Sequence, residues 1–231
     1  MCGRYTLTVT WEELLIYYSL EESPLPFHQP RYNVAPSQVM PALIHDGQKR
    51  RIGPLRWGLI PSWAKDEKIA YRTINARAET LLDKPAFRQS FQRKRCIIPA
   101  DSFYEWKLID KKNKQPMRIV PGQGRLFHMA GLYDTWVHPV DGAKISTFTI
   151  ITTTPNKKME TIHDRMPVLL PAEHIDTWLK RDNSDVRQLQ ALLKPAPDEC
   201  LDMYPVSSEV GRVHHDSPAC IAAIDDPPVL F

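Results

Sequence analysis

Proline stands at 21 of the 231 positions of this chain, and glycine at only 9. Proline fixes φ and removes a backbone donor, so it ends helices and is confined to edges, bulges and turns of sheets. At about 9% proline against a background of roughly 5%, the chain must break into short strands joined by rigid turns. Prolines 24, 26, 30 and 36 make residues 21 to 38 an irregular connection.

Between these breaks the apolar pattern is mostly that of strands. Thr10 and Glu13, followed by Leu14 to Tyr18, form a capping-box signature that opens a short helix. Val39 to Ile44 and Ile52 to Ile60 read as a hairpin around an Asp46-Gly47 turn. Strict alternation over Ile74 to Glu79 predicts a strand with Asn75, Arg77 and Glu79 on one face. Phe87 and Phe91, four apart after Pro85, predict a helix ending before Cys96. Strands follow at 95 to 108, 116 to 120, 126 to 133 and 146 to 153, then helices over Pro171 to Leu179 and Ser184 to Leu193, the latter capped by Ser184, and a short strand near Met203 to Val206. The class is α+β, one mainly antiparallel sheet system with peripheral helices, in a single domain spanning 1–231 with no repeat or linker.

Charge narrows the partners. Thirty Lys+Arg against 27 Asp+Glu leave a formal +3, so any nucleic-acid surface must be a local patch. Lys84, Arg88, Arg93, Lys94 and Arg95 form one candidate, with a solvated helix face as the alternative. No stretch has the ~18 uninterrupted apolar residues of a membrane helix, and the N-terminus lacks a basic leader, so a cytoplasmic chain without membrane contact is expected. The cysteines at 2, 96, 200 and 220 contain no C-x-x-C pair, which suggests free thiols, no disulfide framework and no zinc knuckle; His214-His215 near Cys200 and Cys220 fit no metal spacing. No metal or cofactor is expected.

Cys2 carries the most chemistry. Removal of Met1 before a small second residue leaves a 1,2-aminothiol, whose amine has a reference pKa near 7.7–8.0 and whose thiol lies near 8.5. Such a terminus forms a Schiff base with an aldehyde and can close its sulfur onto the same carbon, giving a five-membered ring. The alternative is an incidental buried cysteine behind a retained Met1.

Met1-Cys2-Gly3-Arg4, Trp57-Gly58-Leu59-Ile60-Pro61-Ser62-Trp63, Asn75-Ala76-Arg77-Ala78-Glu79-Thr80, Phe103-Tyr104-Glu105-Trp106 and Ile162-His163-Asp164-Arg165-Met166-Pro167 occur in that order. Together, over about residues 2 to 210, they closely resemble the SOS response-associated peptidase-like (SRAP) family of abasic-site-processing proteins. The resemblance implies a barrel-like β core and a sensor of abasic sites in single-stranded DNA, including junctions with duplex. It also implies a thiazolidine crosslink through Cys2, and a proposed peptidase activity that removes the residue before the cysteine.

Matching the motifs, Glu105 and His163 are the acid/base candidates, a desolvated carboxyl having a raised pKa and an imidazole titrating near neutrality. Asn75 would position the Cys2 amine or the sugar through its amide. Arg4, Arg77 and Arg165 would contact phosphates, and Trp63 and Trp106 would stack on bases or wedge a duplex end; Trp57 reads as core. Ala64 departs from relatives with a second aromatic after the Trp63 position. Two other readings use the same residues: a cysteine peptidase with Cys2 as nucleophile, and a non-covalent single-strand-binding module. A monomer is expected, since nothing resembles a coiled coil or dimerisation helix.

Overall fold

The computed structural model describes residues 2–20 and 27–224. In chain order its elements are β1 (Tyr5–Leu7), α1 (Trp11–Tyr17), β2 (Arg31–Val34), β3 (Val39–His45), β4 (Arg50–Trp57), β5 (Asn75–Arg77), α2 (Pro85–Arg93), β6 (Arg95–Ala100), β7 (Ser102–Leu108), β8 (Lys114–Pro121), β9 (Phe127–Val137), β10 (Lys144–Thr153), α3 (Lys157–Glu160), β11 (Met166–Pro167), α4 (Ile175–Leu179), α5 (Val186–Ala191) and β12 (Leu201–Pro205). None of the helices is long and apolar enough to cross a membrane.

Five strands close a barrel: β4 pairs β3, β3 pairs β6, β6 pairs β9, β9 pairs β10, and β10 returns to β4. All of these pairings are antiparallel except that between β10 and β4. Closure leaves no free edge around the ring. A second sheet, ordered β12-β8-β7-β1-β2, packs against the barrel through Tyr5 on Trp57 and Phe103 on Phe127, ring centroids 5.2 and 5.8 Å apart. The strand expected over 95 to 108 is therefore two strands in two sheets. The chain changes partner at Asp101, whose carboxylate takes the Thr6 and Thr8 hydroxyls and the Thr8 N–H, while its own N–H bonds the Thr6 carbonyl.

Locally encoded features match their sequence signals. The Thr10–Glu13 capping box is complete, and Gly47 takes φ 111° in the β3–β4 turn while Asp46 accepts from the Gln48 and Lys49 N–H groups. Pro85 starts α2, which buries Phe87 and Phe91. The strand expected over Ile74 to Glu79 stops at Arg77, and Ala78–Thr80 form a 3-10 turn that takes Glu79 off the strand face. Other boundaries shift as well. β4 ends at Trp57, short of Ile60, because Gly58 turns to φ 117° where a Cβ would stand 2.9 Å from the Ala70 carbonyl oxygen. The connection at 21 to 38 contains β2; its first part, 21 to 26, lies outside the described residues. Helix α5 is capped by Asp185, which accepts from the Gln188 N–H at 3.0 Å, one residue after Ser184.

Candidate active site between the sheet and the barrel

The N-terminal motif is laid down by strand pairing. Tyr5 pairs Phe103, Thr6 pairs Ser102, and the Tyr104 N–H donates to the Arg4 carbonyl at 3.0 Å. The same register places residue 3, a glycine without a side chain, opposite Glu105. Cys2 is completely buried, three residues ahead of Tyr5 and in the same core cluster. Burial first, and the Glu105 charge second, raise the Cys2 thiol far above its ordinary value. The sulfur rests as a thiol.

Glu105 is itself 3% exposed, and burial raises its pKa, opposed by the charge of His163. His163 Nε2 lies 3.9 Å from Glu105 Oε2. The histidine is presented by the end of α3: Asn156 caps that helix on the Met159 N–H at 2.9 Å, and the His163 N–H closes it on the Met159 carbonyl at 2.8 Å. His163 Nδ1 faces two groups, the Arg165 N–H at 3.0 Å and the Asp164 carboxylate at 2.9 Å. The first donates to a neutral ring and the second accepts from a protonated one, so the ring is held in either charge state.

Asn75 arrives from the barrel. β5 lies parallel to β10 with Asn75 beside Ile150. Its Nδ2 donates to the Ile74 carbonyl at 3.1 Å, the oxygen that also takes Trp57 Nε1 at 2.9 Å, and its Oδ1 is buried without a partner among the described residues. That orphaned acceptor fits an amide kept for an incoming donor.

The arginines separate. Arg77 is exposed; its carbonyl accepts from the Thr80 hydroxyl at 3.5 Å, while its guanidinium makes no hydrogen bond to a described residue. Arg165 is 9% exposed, forked onto Glu79 at 2.8 and 2.9 Å and bonded to the Thr152 carbonyl at 2.7 Å, so this fork is already filled. Arg4 donates to Asn33 Oδ1 at 2.9 Å and to the Val210 and Gly211 carbonyls at 2.7 and 3.1 Å. Both guanidiniums are committed within the protein. The three arginines expected to contact phosphates thus differ in their surroundings: Arg4 and Arg165 hold protein partners, and Arg77 faces solvent.

The tryptophans separate as well. Trp63 is 55% exposed at the tip of a turn held by Asp134 on the Ser62 N–H (2.8 Å) and by Trp136 Nε1 on the Ala64 carbonyl (2.7 Å). Trp106 follows Glu105 on a strand, so alternation sends it to the opposite face, where it is partly buried and packs with Tyr104, Val206, Val210 and Cys220. Trp57 is core, as expected, stacked on Phe148 at 6.1 Å.

The basic segment is partly spent too. Lys94 pairs with Asp134, Arg88 bonds the Leu82 carbonyl, and Arg95 is 2% exposed, donating to the carbonyls of Phe91, Gln92, Trp178, Lys180 and Asn183. Burial brings the Arg95 pKa down to about 10. Arg95 thus ties the ends of α2 and α4 together, leaving Lys84 and Arg93 exposed.

Sequence reasoning passed over Asn33, which joins Arg4 to the C-terminal segment by donating to the Val210, Arg212 and His215 carbonyls. Its partners lie 177 to 182 residues away, so no local pattern could have marked it. Glu79 was placed on the Asn75 face, but its partner Arg165 was not foreseen. Among the described residues no three His, Cys, Asp or Glu side chains converge as a metal site would require. A half-open apolar cavity of about 560 Å³, lined by Tyr17, His128, Leu170, Leu192 and Pro197 among others, contains none of the residues singled out by the motifs.

Comparison with known proteins agrees with this geometry. The model of the family described as SOS response associated peptidase (SRAP) matches residues 1–213. The abasic site processing protein YoqW of Bacillus subtilis (strain 168) is 51% identical over 222 residues, spanning 96% of this chain and 99% of its own length. The abasic site processing protein HMCES of Xenopus tropicalis is 35% identical over 227 residues, 85% of this chain and 67% of its own. An X-ray structure of a Bacteroides thetaiotaomicron protein superposes with a TM-score of 0.89 at 28% identity, over 96% of this chain and all of that one.

Proposed function

Because this chain belongs to the SOS response associated peptidase family, we propose that it processes abasic sites in DNA, and that it does so by trapping them covalently on Cys2. Once Met1 is removed, the Cys2 amine attacks the aldehyde of the ring-opened deoxyribose and water leaves to give a Schiff base. The sulfur then adds to the same carbon and closes a thiazolidine. Relatives named abasic site processing proteins, over almost the full chain, support the substrate. The observation that carries the mechanism is the completely buried Cys2 beside a buried Glu105, with His163 3.9 Å from that carboxylate.

Each group has a task that its surroundings suit. Glu105, with its pKa raised by burial, donates a proton to the departing hydroxyl and takes one from the attacking group. His163, held in either charge state, carries the proton on the sugar oxygen, and its return drives reversal of the crosslink. Asn75 Oδ1 holds the amine or a sugar hydroxyl. Arg77, exposed two residues after Asn75, and the exposed Trp63 bind phosphate and base of a single strand or of its junction with duplex.

The raised thiol argues against a peptide-cleaving thiolate. A cysteine nucleophile acting on amides needs its pKa lowered, whereas here burial and Glu105 both push it up. An amine that attacks first needs no thiolate.

The test is incubation of the purified protein with a single-stranded oligonucleotide carrying one abasic site, read by denaturing electrophoresis and intact mass. Wild type gives an adduct and a mass lacking Met1, and Cys2→Ala gives none while binding the strand within a few-fold of wild type. Cys2→Ser keeps an amine and gives an adduct only when borohydride is present. Undiminished crosslinking by Cys2→Ala would overturn the proposal.

A further inference from the structure

The face of β1 and β7 that looks onto the barrel carries a polar atom that the mechanism above leaves unused. Tyr5 is completely buried, its ring 5.2 Å from Trp57, and its hydroxyl has no hydrogen-bond partner among the described residues. Buried hydroxyls are hydrogen-bonded in the great majority of cases, so one without a partner calls for a group that arrives later. Three observations say which group.

Tyr5 pairs Phe103, which makes Glu105 its diagonal neighbour on the same face of the sheet. Cys2, three residues ahead of Tyr5, is completely buried in the same core cluster. Burial first, and the neighbouring Cys2 second, raise the Tyr5 hydroxyl well above its ordinary value, so it rests as a phenol. It is therefore a donor, in the same buried cluster as a sulfur whose own proton is held by burial and by Glu105.

We propose that the Tyr5 hydroxyl is a positioning residue for ring closure, donating a hydrogen bond to the Cys2 sulfur as that sulfur gives up its proton. This inference rests on the abasic-site reading and adds a residue to it. In the closing step the protonated imine joins the Cys2 nitrogen to the sugar carbon. The thiol proton passes to the Glu105 carboxylate, the sulfur pair forms the C–S bond, and the C=N π pair moves onto nitrogen. A cation and an anion become a neutral ring and a neutral carboxylic acid. Tyr5 keeps its proton throughout and stabilises the negative charge that develops on sulfur, the one step that burial of the thiol makes difficult.

Tyr5→Phe removes the oxygen and keeps the ring on Trp57. The variant should melt no lower than wild type and bind an abasic single strand equally well. It should form the borohydride-reducible Schiff base at the same rate, yet convert it to the borohydride-resistant ring roughly tenfold or more slowly. A packing role would not change that ratio. Equal ring-closure rates in Tyr5→Phe and wild type would overturn the inference. The same pair of proteins treated with formaldehyde, followed by intact mass, reads ring closure without DNA. If wild type fails on abasic DNA, the abasic-site reading falls, and the formaldehyde comparison still decides Tyr5: slower closure in the variant supports it, equal closure overturns it.

Discussion

The two faces of β1 and β7 are built from alternate residues of the same strands, and they treat polar groups in opposite ways. On the face covered by the C-terminal segment, Thr6, Thr8, Ser102 and Asp101 form one closed network, Arg118 joins Ser102 to Tyr204, and the Tyr104 hydroxyl reaches the Tyr32 carbonyl at 2.8 Å. On the face toward the barrel sit Tyr5, whose hydroxyl has no partner among the described residues, and Glu105, whose pKa is raised. A saturated buried network rigidifies, whereas a buried hydroxyl with no partner among the described residues, as at Tyr5, is costly unless something completes it. One face holds the sheet to its C-terminal cover, and the other faces the chemistry.

The sharpest way to break this contrast is Glu105→Gln. A positioned carboxyl contributes roughly 10² to 10⁴ in rate, so crosslinking in single turnover should fall by that factor with strand affinity nearly unchanged. The same variant should be more stable than wild type at neutral pH. Because the folded pKa of Glu105 is raised, wild-type stability is lost as pH rises from the ordinary glutamate value near 4.3 through the raised one, and the glutamine variant escapes that loss. Melting curves across pH 3 to 8 check the sign. A variant with wild-type rate and pH profile would make Glu105 structural and leave His163 as the proton carrier.

Arg165→Met tests the assignment of that arginine to structure. Removing it leaves the Thr152 carbonyl and Glu79 unpaired, at about 2 kcal/mol, below the usual value for a buried pair because Glu79 is half-exposed. Here the pH sign is the reverse of Glu105. Hydrogen bonds from Arg165 lower the Glu79 pKa, so the stabilisation is present above the ordinary glutamate value and disappears as pH falls through the lowered one. Melting curves of variant and wild type that converge in acid bear this out, and a constant gap would not.

Thr6→Val strikes the saturated face. It should lower stability by about 1–3 kcal/mol in urea titration, since Asp101 loses one of its donors, and leave the crosslinking rate per folded molecule intact. A rate loss as large as that of Glu105→Gln would show that the two faces are not separable. The smallest effect is expected for Arg77→Ala: a single lost phosphate contact reduces the log–log salt slope for single-strand binding by about 0.7. An unchanged slope would return Arg77 to the solvent.

How far the chain could be read depends on where each residue finds its partners. The capping box at Thr10, the Asp46-Gly47 turn and the Pro85 start of α2 are satisfied within three or four residues of themselves, so their signals survive in the sequence. Of the strand read over Ile74 to Glu79 only Asn75 to Arg77 pair as β5, and of the residues that the motif order singled out, Glu105 and His163 lie 3.9 Å apart. The closed barrel was not legible from periodicity, because the pairing of β10 with β4 joins segments some ninety residues apart, and only the family resemblance suggested it.

By itself, the sequence determined the short-strand α+β class, the local caps and turns, and the residue types able to do aminothiol and acid/base chemistry, since these follow from proline placement, backbone satisfaction and reference pKa values. Only the tertiary structure decided which guanidinium makes no hydrogen bond among the described residues. Arg4, Arg77 and Arg165 look alike in their motifs, but the partners of Arg4 lie up to 207 residues away and that of Arg165 lies 86 away. A guanidinium can fill only one fork, and which fork it meets is set by how distant strands pack.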